Sequence, residues 1–243
     1  RSMADTALVL RALNGFDKDD AGSVQIGFDY DGKADLRELT AAYDPAWFEG
    51  ADANAITALD AFKNSGISVK AVSGLLPDLP YNSLNAILLA ESAAAFEDLT
   101  LSGRDDELKW QDNDAWPNTF RAARFITAID FIQADRLRRR VMVEMQRAFT
   151  PYDFMISPPF AGPLLGITNY TGSPCAVLPT GLTPRKTRNL WDVTKDESAQ
   201  ETAVPDSIVL WGRLFEDGKL IRAASALQNA LGTDTHRPPA FSK

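Results

Sequence analysis

The chain has 243 residues, a net charge of −8, and ordinary globular proportions of hydrophobic (45%) and charged (24%) residues, so it is long enough to bury a substantial core. Its acidity argues against a nucleic-acid surface, which needs clustered Lys and Arg, and no apolar run approaches the roughly 18–20 residues that cross a bilayer. One cysteine and one histidine exclude an internal disulfide and any multi-cysteine or multi-histidine metal site, so no metal and no cofactor is expected.

Arg1–Asn14 is predicted as an amphipathic helix without the cleavage site of a signal peptide. Ser2 and Asp5 have the spacing of a capping box, Met3, Ala7, Leu10 and Leu13 share a face, and Asn14-Gly15 supplies a left-handed stop. An acidic loop (Asp17, Asp19, Asp20) follows. It lacks the later glycine and glutamate of a calcium loop and is expected to be a solvated turn. Alternating Val24, Ile26 and Phe28 predict a strand over Val24–Tyr30. Asp52 is placed to cap a helix running to Asn64, with Ala55, Leu59 and Phe62 on one face and Gly66 beyond its end. Ile67–Val72 returns as a strand, and strand–helix–strand at this spacing predicts a parallel pair with a right-handed crossover.

Two longer helices are expected next, over about 82–102 and 116–149. Glu91 falls on the apolar stripe of the first (Leu84, Ile87, Leu88, Ala95, Leu99), and the apolar opening of the second carries Arg121 and Arg124. A buried glutamate needs a partner, so pairing of Glu91 with one of these arginines is expected, with binding of a substrate carboxylate as the alternative arginine role. Arg136, Arg138, Arg139, Arg140 and Arg147 then form a solvated face, with Leu137, Val141, Met145 and Ala148 on the buried one.

The apolar runs Phe154–Ile156 and Cys175–Leu178, bounded by breakers, predict two buried strands in which Cys175 serves as a small hydrophobe. Between them a loop of Gly162, Gly166, Thr168, Asn169, Thr171, Gly172 and Ser173 is either a ligand-binding loop or a plain crossover. Residues 183–204 are polar and aperiodic and are expected to be a surface excursion. Ile208–Trp211 is a further strand, and a closing helix over about 219–231 carries Leu220, Ala224, Leu227 and Leu231, with Gly232 as its stop. His236 lies in the polar tail and is expected to be solvated. The whole is predicted as one α/β unit, a mixed and largely buried sheet flanked by helices.

Thr168-Asn-Tyr-Thr-Gly-Ser-Pro-Cys-Ala-Val-Leu-Pro-Thr-Gly181, after a strand ending in a proline pair, resembles the amidase signature family. The opening Arg1–Leu10 and the segment Pro205–Phe215 are similar to that family too, as is the last helix with Ala226-Leu-Gln228. The resemblance covers nearly this whole chain and the later half of a typical member. Ala90–Asp106 and Trp116–Ile126 are similar to a subgroup of free-standing amidase-like hydrolases more than to the glutamine-dependent aminoacyl-tRNA amidotransferase subunit. The resemblance implies an amide hydrolase with a Ser–cis-Ser–Lys triad. No Gly/Ser-rich signature run occurs here, so no catalytic residue carries over. It implies that Phe125, Phe160, Thr168, Asn169 and Thr171 line a pocket for a small-molecule amide. It also implies that the chemistry comes from an N-terminal segment or companion chain. The alternatives are a catalytically inert remnant or binding module, and the amidotransferase-type subunit. A histidine-based serine hydrolase fails, because Ser65, Ser73 and Ser102 lack a Gly-x-Ser-x-Gly elbow.

Overall fold

A computed structural model describes residues 2–186 and 201–233. Among these are helices α1 (Met3–Leu13), α2 (Ala53–Lys63), α3 (Asn85–Ala95), α4 (Glu97–Leu101), α5 (Trp116–Ala123), α6 (Ala128–Phe149), α7 (Leu164–Thr171) and α8 (Asp217–Leu231). The strands are β1 (Thr40–Tyr43), β2 (Ser68–Ala71), β3 (Phe154–Ser157), β4 (Cys175–Lys186) and β5 (Glu201–Gly212). The fold is α/β with a mixed five-stranded sheet, as the sequence predicts. The chain divides into two compact units: one of residues 2–77, 145–186 and 201–233, and a second over Asp78–Glu144. His236 lies outside the described residues, as does the middle of the expected excursion.

The first unit holds the whole sheet, in the order β2-β1-β3-β5-β4. β1 is parallel to β2 and β3, and β5 is antiparallel to β3 and β4. The crossover from β1 through α2 to β2 is the predicted parallel unit, but its first strand is Thr40–Tyr43. Val24–Tyr30 forms no strand. Two of its carbonyls are taken by side chains at the end of α1: Asn14 Nδ2, just past the helix, donates to Ile26 O (3.1 Å) and an Arg11 guanidinium nitrogen donates to Tyr30 O (3.0 Å). Asn14 itself is extended (φ −68°, ψ 128°), so the expected left-handed stop is absent there. The capping box is present: Asp5 N donates to Ser2 Oγ (3.1 Å) and Ser2 N to Asp5 Oδ2 (2.7 Å).

One sheet face packs on α2 and α8. Ala41, Phe154, Ile156, Ala176, Leu178, Ile208 and Leu210 meet Ala58, Leu59 and Phe62 from α2 and Leu220, Ala223, Ala224 and Leu227 from α8 in one cluster. Both helices show the predicted faces, α2 is capped by Asp52 (Ala55 N donates to Oδ1, 2.8 Å), and Gly232 ends α8 at φ 62°. Asp153 fixes the start of β3. Its backbone N–H donates to Thr40 O (2.7 Å), and its carboxylate accepts from Thr40 N (2.9 Å) and lies 3.5 Å from Lys219 of α8. The outer ends of the expected excursion are ladder: residues 183–186 pair with 201–204.

In the second unit both predicted long helices are interrupted. The first breaks at Phe96, whose φ of −107° leaves the helix. Its ring stacks on Phe120 (5.0 Å), which in turn stacks on Trp116 (5.5 Å). The second breaks after Ala123 and restarts at Thr127, whose Oγ1 accepts from Asp130 N (3.1 Å) and donates to Asp130 Oδ2 (2.7 Å). Glu91 is exposed and is not a buried partner of either arginine. Arg121 pairs with Asp105 and Asp106 (2.5 and 2.7 Å), and Arg124 with Glu97 (3.0 Å).

Gly218 is a point of enforced close approach, because a Cβ there would sit 1.5 Å from the carbonyl oxygen of Asp29. Gly218→Ala is expected to push residues 24–30 off α8 and to cost about 1–3 kcal/mol, the usual range for overpacking. Urea unfolding together with limited proteolysis around residues 24–30 measures this. A neutral substitution would mean that the segment is not pinned there.

Candidate functional site

The segment from β3 through α7 to β4 carries four of the five sequence-predicted pocket residues. β3 is buried along its whole length, so its one polar side chain must find partners inside the protein. Ser157 Oγ accepts from Trp211 Nε1 (2.8 Å) and donates to Pro158 O (2.8 Å). This relay ties β3 to β5 and fixes the carbonyl at the start of the Pro158-Pro159 turn. Two residues on, Phe160 sits at φ 60° with its side chain 80% exposed. A bulky residue in the left-handed region is strained, and such strain concentrates at functional turns.

The expected loop is mostly helix. Leu164, Ile167, Thr168 and Thr171 fall at i, i+3, i+4 and i+7 and form the buried face of α7. That spacing was legible in the sequence, behind the glycines and hydroxyl residues. Thr168 Oγ1 donates to Leu165 O (3.2 Å), and Thr171 Oγ1 donates to Ser173 Oγ (3.2 Å) just past the Gly172 stop. Asn169 lies on the exposed side of the same helix. Thr168 and Thr171 are thus brought together one turn apart, with Ser173 beside them. Phe125 is in the other unit, 88% exposed, where it lines an open cleft of about 560 Å³ with Asn118, Thr119, Arg121 and Ile126. The Arg121 charge in that cleft is met by two aspartates, one of them buried.

Cys175 is exposed at the start of β4, whereas the sequence placed it as a packed hydrophobe. It occupies the outward register of an edge strand whose Ala176 and Leu178 take the core side. Partial desolvation nevertheless pushes its thiol pKa up, the direction of an unreactive cysteine. Ser65 donates to Phe62 O (2.7 Å) and Ser102 to Leu99 O (3.2 Å). Lys219 pairs with Glu216 (2.7 Å) and Asp153, and the hydrogen bond it donates to Glu216 holds its pKa above the usual lysine value against the effect of burial. These serines and this lysine are engaged in local structure. The described residues contain no cluster of His, Cys, Asp and Glu able to hold a metal.

Sequence reasoning missed the Ser157–Trp211 relay and a second polar cluster around Asp206, Asn54, Thr183 and Arg185. Neither has a spacing signal, because the partners lie 21 to 152 residues apart.

No family model matches the sequence, and no curated protein matches it by sequence. Its structure has the fold of amidase signature enzymes. Over 100% of this chain it superposes on the peptide amidase from Stenotrophomonas maltophilia with a TM-score of 0.70 at 18% identity, covering 54% of that enzyme. A 6-aminohexanoate cyclic dimer hydrolase matches over 100% of this chain and 56% of its own (TM-score 0.69, 16% identity). A bacterial aryl acylamidase of the amidase signature family matches over 98% and 54% (TM-score 0.64, 17% identity). The chain therefore spans about half the length of the enzymes it resembles.

Ser157→Ala would leave the Trp211 N–H buried without an acceptor, and is expected to cost about 1–3 kcal/mol in urea unfolding. Phe160→Gly relieves the left-handed strain and is expected to stabilise by about 1 kcal/mol. A loss of stability on Phe160→Gly would show that the ring's contacts outweigh the strain.

Proposed function

We propose that this chain is the substrate-pocket half of an amide hydrolase of the amidase signature type. Its Ser–cis-Ser–Lys chemistry would come from a segment outside this sequence, or from a companion chain. The observation that carries the reading is the match of 98–100% of this chain to 54–56% of three carbon–nitrogen hydrolases. In this reading Phe160, Thr168, Asn169 and Thr171 bound the acyl or leaving-group pocket beside the fixed Pro158 carbonyl. Phe125 is included on the sequence resemblance alone.

The surface of the first unit supports a covering partner. Beside its polar Asp5, Thr6 and Arg11, α1 exposes Leu8, Val9 and Leu13, at 65%, 57% and 76%. Leu13 also lines an apolar groove of about 220 Å³ with Val24, Ile26, Phe28 and Phe215. Contiguous exposed apolar surface of this kind marks a docking region. A companion segment completing the fold would cover it.

The chain alone is expected to release no amine from aryl amides or C-terminal peptide amides above the uncatalysed rate. Intact mass under native and denaturing conditions tests the reading first. A companion polypeptide, or a chain far heavier than 26.6 kDa, supports it, and amide hydrolysis by that assembly is then expected. A lone 26.6-kDa species with no activity overturns it and leaves the binding-module reading.

A further inference from the structure

The densest convergence of polar side chains lies at the root of the β4–β5 hairpin, away from α7. The Asp206 carboxylate, with its side chain only 1% exposed, accepts from Asn54 Nδ2 of α2 (2.7 Å) and from Thr183 Oγ1 and the Arg185 guanidinium of β4. Arg185 is half-exposed and also lies 4.0 Å from Asp52, the residue that caps α2. Opposite Asp206 the ladder has an irregularity between Pro179 and Gly181. A Cβ on Gly181 would sit 2.7 Å from the Asn54 carboxamide, so a side chain there would force Asn54 to shift from its place beside Asp206. Beyond this point residues 182–186 and 201–205 continue the ladder with mostly exposed side chains.

We propose that Asp206 is a latch that locks the outer hairpin, residues 182–186 and 201–205, to the first turn of α2, so that the two open as one cooperative unit. A buried carboxylate is tolerated only while its donors are in place. Peeling the hairpin away removes Thr183 and Arg185. Unwinding the first turn of α2 removes Asn54 and separates Asp52 from Arg185. Each event strips the same charge and favours the other, which is the physical meaning of a shared opening unit.

The charged groups facing the Asp206 carboxylate are Arg185 on β4 and, through Arg185, Asp52 on α2. Burial acts to raise the carboxyl pKa, but Thr183, Asn54 and Arg185 outweigh it and hold the pKa below the ordinary carboxylate value. The ionised latch therefore stabilises the closed unit at neutral pH. That contribution is lost as pH falls through the depressed folded value.

Amide hydrogen exchange on the full chain at neutral pH tests the latch. In Asp206→Asn, exchange at residues 182–186, 201–205 and 55–57 is expected to accelerate together by about 10- to 100-fold, the loss of hydrogen bonds to a buried charge, with residues 154–157 unchanged. Arg185→Met is expected to accelerate the same two segments to a smaller degree. Acceleration confined to the hairpin, or no change in either segment, overturns the proposal. If Asp206→Asn does not fold, Arg185→Met carries the same test, because the group it removes is half-exposed.

Discussion

Strand β3 is buried along its full length, and a polar group in such a strand has no water to fall back on. The rest of the arrangement follows from that constraint. Ser157 is held between the Trp211 indole and the Pro158 carbonyl, which places the two strands and the following turn in one fixed relation. At the other end Asp153 ties β3 to β1 by two hydrogen bonds and to α8 by its charge. A four-residue strand is thus anchored at both ends by polar contacts and along its middle by apolar ones. The turn that leaves it, with Phe160 in a left-handed conformation, inherits its position from those anchors.

The first unit also depends on close approaches made at glycines. Gly218 lets residues 24–30 lie on α8, and Gly181 lets the Asn54 carboxamide reach Asp206. In both places backbone polar groups or a buried charge are satisfied by side chains from distant parts of the chain. Satisfaction of this kind decides local conformation more strongly than propensity does. Val24–Tyr30 has the alternation of a strand but no ladder partner, and Arg11 and Asn14 take two of its carbonyls instead. β1, built from Thr-Ala-Ala-Tyr, has no apolar alternation to mark it as a strand and becomes one because β2 and β3 flank it.

The two units differ in how charge is handled. In the second, Arg121 and Arg124 are answered by carboxylates on α4 and the turn after it, so the expected role for Glu91 is vacant and Glu91 faces solvent. Helix continuity there yields to an aromatic stack at Phe96 and to capping at Thr127. The Thr127-x-x-Asp130 spacing was readable in advance. The stack was not, because it joins residues 24 apart in sequence. The same distinction applies to the candidate site: the face of α7 is a matter of spacing, whereas the Ser157–Trp211 contact spans 54 residues.

The sequence by itself determined what depends on neighbours a few residues away. The caps at Ser2 and Asp52, the core faces of α2 and α8, the stop at Gly232, the buried runs of β3 and β5, and the motif linking the chain to amidase signature enzymes are all local patterns. Tertiary structure decided which strands pair, where long helices break, whether Cys175 faces the core, and which donors surround Ser157 and Asp206. Those outcomes are set by burial and hydrogen-bond satisfaction between segments far apart in the chain, and no local spacing encodes them.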